Sequence, residues 1–214
     1  VRLIDSIPRH FRTSFNVVSC QFCAHYGFDS EPAVQQWMQN CADRLQVGGF
    51  CLFTVPDASM IIRNLLGNRD PSRQGSSFGN SLFSISVDTD EYLKWSTVDD
   101  SLFGARYNFF LQDGVEDVPE YLVTQATLER VADLQGMVLK STWSFHDFYR
   151  KFAQDSRFVE SLHKQVLSRT PDGTQIPMEE YAACCVYRVY VFQKTRSITD
   201  RGYCPQTEED IVKL

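Results

Sequence analysis

At 214 residues, with 43% hydrophobic and 13% aromatic side chains, the chain carries apolar material for one sizeable core and not for two full domains. No apolar run approaches the ~18 residues that a membrane-spanning helix needs. The formal net charge of −6 opposes a surface that coats nucleic acid through many phosphates. It leaves room for a pocket that grips one nucleotide by stacking and base edges.

In chain order, residues 15–20 read as a short buried strand that runs into a polar loop. Ser30 is a candidate N-cap with Pro32 in the first turn, and Val34, Trp37, Met38, Cys41, Ala42 and Leu45 recur at helical spacing. Gly48-Gly49 is expected to end that helix, with the next buried strand at 50–55. Pro56-Asp57 stops the strand, and Asp57 caps a helix through about residue 66, with Met60, Ile61 and Leu65 inward. Continuous apolar strands alternating with helices predict a parallel sheet covered on both faces.

Residues 67–80 read as a polar loop closing with Ser77-Phe78-Gly79-Asn80. Segments 82–87 and 103–111 alternate more tightly, which predicts a half-exposed antiparallel insertion. The acidic stretch 113–120 reads as a loop, Thr124 as the cap of a helix to about residue 135, and 137–143 as a strand after the Gly136 break. Helices are expected at 145–153 and 156–168, then a Pro171-Asp172-Gly173 turn, a polar loop, and a strong final strand at 183–193. The tail 195–214 has little periodicity, and there are no internal repeats.

Seven cysteines without regular spacing argue for free thiols in a reducing compartment. Cys20 and Cys23 form a C-x-x-C that suits redox or zinc chemistry, but no second such pair exists. His10, His25, His146 and His163 show no ligand spacing, so no metal site is expected. Arg63, Arg69 and Arg73 are candidates for a local phosphate contact, although an ordinary solvated loop is the better account of Arg69 and Arg73.

Several blocks, taken in order, carry a resemblance. They are 18–22 through His25-Tyr26, 45–50, Thr54-Val55-Pro56-Asp57, 77–80, 102–104 with Tyr107 and Phe109, Val118-Pro119-Glu120-Tyr121, 145–149, and Tyr187 with Val191-Phe192. Over residues 1–193 the sequence resembles the messenger-RNA cap guanine-N7 methyltransferases. The resemblance implies an α/β, Rossmann-like class I methyltransferase fold with a small antiparallel insertion, and S-adenosylmethionine as methyl donor without a metal. It implies residues 1–194 as the C-terminal portion of the domain, with the insertion and cap-binding loops at about 67–120 and a polar tail at 195–214. It also implies a transferase of mRNA capping and processing, acting in the nucleus.

Residue by residue, the resemblance implies a guanine pocket of His25, Tyr26, Pro56, Glu120 and Tyr187, with Gln21 and Phe22 beside the cofactor. The chemistry is sensible. Guanine presents N1–H and N2–H₂ as a donor pair that two carboxylate oxygens accept, and adenine lacks that pair. The residues alone leave blander readings open: Glu120 as one more acidic loop residue, His25 as an ordinary core or surface histidine, Tyr187 as sheet packing. Catalytic roles are expected to be positional only, because guanine N7 carries a lone pair and no proton.

The family's glycine-rich loop after the first core strand and its acidic residue on the second have no counterpart in this sequence. The chain is therefore expected to hold strands four to seven of the order 3-2-1-4-5-7-6, as a fragment or processed chain. On its own it is expected to bind S-adenosylmethionine poorly. Capped RNA is the implied partner, with the other half of the domain as a separate chain and other capping or transcription proteins as further candidates. The competing reading is a non-catalytic cap-binding or protein-interaction module; a small-molecule methyltransferase would leave the guanine-reading block without purpose.

Overall fold

The computed structural model describes residues 14–68, 75–91, 95, 103–170 and 173–198. Two four-stranded sheets organise them. The first comprises β1 (Phe15–Gln21), β2 (Leu45–Pro56), β7 (Met137–Ser144) and β8 (Tyr187–Lys194) in the order β1-β2-β8-β7. Strands β1 and β2 are parallel, whereas β8 runs antiparallel to both of its neighbours. This order matches that expected for strands four, five, seven and six.

Helices α1 (Glu31–Ala42) and α3 (Gln125–Asp133) cover one face. Val34, Met38, Leu128 and Val131 there pack against Phe53, Tyr190 and Phe192 of the strands. Thr124 caps α3 by accepting from the Thr127 amide at 3.2 Å. The expectation of cover on both faces holds fully for this side only: on the opposite face Val17, Phe50 and Val138 are exposed, while Gln21, Thr54 and Val189 line a cavity under later helices.

Helix α2 (Ala58–Gly67) leaves the C-terminal end of β2. Asp57 caps it, accepting from the Ser59 amide at 3.0 Å, and its other oxygen holds Arg188 Nε at 2.8 Å. Ile61 and Leu65 face a second core shared with the antiparallel sheet of β3 (Ser76–Gly79), β4 (Phe83–Val87), β5 (Arg106–Leu111) and β6 (Val115–Tyr121). This sheet is the expected insertion. Three further helices lie between β7 and β8 in the chain, α4 (Phe145–Phe152), α5 (Ser156–Gln165) and α6 (Met178–Cys184).

Several boundaries differ from the sequence reading. The first helix ends at Ala42, and Leu45 opens β2, because it pairs with Phe15 and is buried there. Gly48-Gly49 ends no helix. It lies in an irregular stretch of β2 where Phe15↔Leu45 is followed by Val17↔Phe50, with Gly48 at φ 89°. The segment Ser76–Gly79 is a strand on the edge of the insertion rather than a loop.

The acidic stretch is also a strand. Asp113 at φ 59° turns the chain, Gly114 N–H bonds Leu111 C=O, and Val115–Tyr121 returns along β5. Glu116 and Asp117 face solvent while Glu120 is buried, and Pro119 is tolerated because β6 is an edge. The final strand starts at Tyr187, and the residues before it form α6, pinned by Asn80 and Ser81 to Glu179. The penultimate helix stops at Gln165, followed by a 3₁₀ turn at Leu167–Arg169. Arg69, Arg73, Pro171, Asp172 and most of the tail lie outside the described residues; Arg63 is exposed on α2.

Candidate functional site

The site is built where the main sheet meets the insertion. At the C-terminal end of β1 the chain enters a 3₁₀ turn, Ala24–Gly27, that carries His25 and Tyr26. Gly104 docks the start of the insertion strands on the segment after this turn, through Gly104 N–H to Phe28 C=O at 2.8 Å. Its φ of 70° and the Asp29 carbonyl 2.9 Å from where a Cβ would stand leave room for glycine alone.

That docking brings β5 and β6 over the turn. Glu120 and Tyr107 are register partners across the two strands, and each is 1% exposed. Tyr107 Oη donates to Glu120 Oε2 at 2.8 Å, and Tyr26 Oη donates to Oε1 at 3.2 Å. His25 is 2% exposed and its Nε2 stands 3.2 Å from Glu120 Oε1. That pair is within ion-pair reach but misaligned, and neither ring nitrogen of His25 makes a hydrogen bond. A buried imidazole with idle nitrogens beside a carboxylate is set up for a third party.

The phenols stay protonated well past neutrality. Burial raises Tyr107 well above its ordinary value, and the adjacent Glu120 charge adds to it. Burial first and Glu120 second also raise Tyr26 and Tyr187. The cluster therefore sets one carboxylate among hydroxyl donors, with the His25 and Tyr26 rings 4.2 Å apart.

Tyr187 is the first residue of β8, not an interior one. Because β8 is antiparallel to β2, its beginning lies beside the end of β2, and Tyr187 pairs with Pro56. This resolves how a residue on the last strand reaches the cleft beyond the C-terminal ends of β1 and β2. Phe22 meets the Tyr187 ring edge-on at 4.9 Å, and Phe109 at 6.4 Å.

Gln21 and Phe22 face a neighbouring space. With Thr54, Phe145, Tyr149 and Tyr181 they line a largely apolar cavity of about 620 Å³ walled by α4, α5 and α6. Gln21 is held by Thr54 Oγ1 and donates to Ser19 Oγ at 2.9 Å. All seven residues singled out in the sequence thus fall in one region. Tyr107 is a further member of this cluster that the resemblance does not assign. Its signal was the alternating pattern of β5, which puts it on the buried face directly opposite Glu120 once the hairpin register is known.

Comparison with known proteins supplies the family. The profile of the mRNA (guanine-N(7))-methyltransferase domain matches residues 2–195. The chain belongs to this family. It is 31% identical to the mRNA cap guanine-N(7) methyltransferase of Drosophila melanogaster, over 91% of this chain and 48% of that protein. The enzyme of the same description from Saccharomyces cerevisiae is 30% identical, over 85% of this chain and 42% of the other. The chain spans about half the length of the curated relatives it matches. A solved S-adenosylmethionine-dependent methyltransferase from Clostridium acetobutylicum superposes at a TM-score of 0.40 with 11% identity, over 85% of this chain and 58% of that one. Among the described residues no group of side chains is arranged to hold a metal ion, and no helix is long and apolar enough to cross a membrane.

Proposed function

We propose that the full-length protein transfers a methyl group from S-adenosylmethionine to N7 of the guanosine cap of mRNA, and that this chain supplies the guanine pocket. The observation that carries the reading is the buried Glu120 carboxylate, held by Tyr107 and Tyr26 beside the unbonded ring of His25. Glu120 accepts from guanine N1–H and N2–H₂, replacing the Tyr26 bond where needed, and His25 donates to the O6 edge. Tyr26 and Tyr187 present ring faces and Pro56 borders the pocket. A base without the N1/N2 donor pair leaves a buried charge unmatched, which is the source of selectivity.

Gln21 and Phe22, at the border between this pocket and the cavity, form part of the cofactor side. Phe22 offers an exposed apolar ring and Gln21 an amide. When bound, the cofactor supplies an electrophilic methyl group. The protein residues supply alignment, since N7 needs no general base. Glu120 also stabilises the cationic methylated purine, because its charge is fixed in a dry site before reaction. Capped RNA in the nucleus is the substrate of this reading.

The test is methyl transfer by the full-length protein to RNAs ending in guanosine, inosine or adenosine caps. Transfer to the guanosine cap, weaker transfer to inosine and none to adenosine is expected. Equal use of guanosine and inosine caps would overturn the assignment of Glu120.

A further inference from the structure

Cys20 and Cys23 have no part in the pocket described above, yet they bracket Gln21 and Phe22 and adjoin the turn of His25 and Tyr26. Cys20 lies on β1, and Cys23 stands immediately before the 3₁₀ turn. Between them Phe22 adopts φ 57°, a left-handed conformation that costs a bulky side chain energy and folds the chain back on itself. The fold-back brings the two Sγ atoms to 3.1 Å. A covalent S–S bond is about 2 Å long, so these are two thiols in contact, about 1 Å from closure. Cys23 is exposed and Cys20 half-buried. Cys41 and Cys51, by contrast, are buried.

We infer that Cys20 and Cys23 form a reversible thiol–disulfide site that reacts with low-molecular-weight disulfides, and that its closure displaces the turn bearing His25 and Tyr26. The exposed Cys23 gives up its proton, and its thiolate attacks one sulfur of glutathione disulfide, expelling a glutathione thiolate. Cys20 then loses its proton and attacks the Cys23 sulfur of the mixed disulfide, expelling the second glutathione. Two electrons pass from the cysteine pair to glutathione disulfide, and no other oxidant takes part. Burial, and then the contact with Cys23, push the Cys20 thiol up to about 12, which suits it to the second step rather than the first.

Closure has a mechanical consequence. Cys20 is anchored in β1 by its pairing with Phe53, so the approach of the sulfurs moves the Cys23 side. That side leads into Ala24 and His25, both buried, and it pulls on Phe22 where the ring meets Tyr187.

The test equilibrates the chain with reduced and oxidised glutathione, traps remaining thiols by alkylation and maps the peptides. The peptide holding both cysteines is expected to lose two hydrogens in oxidised buffer and regain them in excess glutathione. Amide hydrogen exchange over 24–27 is expected to change by at least about tenfold between the two forms. Cys20→Ser and Cys23→Ser should each remove both signals while keeping the exchange pattern of the reduced chain. Lasting glutathione on Cys23 without loss of the two hydrogens would overturn the inference. So would a disulfide that leaves exchange at 24–27 unchanged. Neither readout involves a nucleotide, so the guanine reading stands or falls separately.

Discussion

Tyr107 and Glu120 face each other across the β5–β6 hairpin, and the phenol donates to the carboxylate at 2.8 Å with both side chains removed from water. A carboxylate sunk in a protein is unfavourable unless donors surround it. Here two tyrosines provide them.

Glu120→Gln keeps the shape of the pocket and replaces an acceptor by a donor. The expected loss in guanosine-cap recognition is about 2–4 kcal/mol with the fold intact. Competition between guanosine and inosine caps measures it. The wild type should discriminate and the variant should do so much less; unchanged discrimination would sink the role of Glu120.

His25→Ala removes a buried ring that makes no hydrogen bond within the protein. Stability should fall only by lost packing, about 1 kcal/mol, while kcat/KM for capped RNA drops at least about tenfold. Urea unfolding and steady-state kinetics separate the two. A large stability loss with unchanged kinetics would return His25 to a structural role.

Tyr107→Phe deletes the donor to Glu120 Oε2 at nearly constant volume, leaving a buried acceptor short of a partner. A stability loss of about 1–3 kcal/mol is expected near neutral pH. The alkaline behaviour is a second signature. The folded-state pKa of Tyr107 is raised above the ordinary 10.0, so its contribution is fully present below pH ~10 and is lost as pH rises from there through the folded value. The variant should therefore lose stability less steeply than the wild type above pH ~10. Parallel slopes in urea titrations at neutral and alkaline pH would contradict the burial of this phenol.

Gly104→Ala places a methyl group against the Asp29 carbonyl at a positive φ. Because Gly104 joins the insertion to the segment after the 3₁₀ turn, the expected result is a destabilisation of about 1–3 kcal/mol with weakened guanine binding. Calorimetric unfolding together with titration of a capped dinucleotide checks both. Full affinity in a destabilised variant would mean that the pocket assembles without this contact.

Much of the fold is legible in the sequence. Apolar runs at β1, β2 and β8, the helical spacing from Val34 to Ala42, and the Asp57 and Thr124 caps are local signals, because burial periodicity and capping act over a few residues. The ordered blocks also carried the family. Other features depended on partners far away in sequence. Val115–Tyr121 reads as an acidic loop because this edge strand shows Glu116 and Asp117 to water, and only pairing with β5 makes it a strand. Leu45 fits a helical period equally well until Phe15 claims it for the sheet. Tyr187 looked like an interior core residue, and the antiparallel course of β8 put it at the mouth of the cleft beside Pro56. The sequence by itself determined the family and most of the local elements. Tertiary structure alone decided that Tyr107 holds Glu120, that His25 is buried with idle nitrogens, and that Cys20 touches Cys23. Each of those depends on distances set by strand register and by the turns at Gly104 and Phe22, which no local pattern encodes.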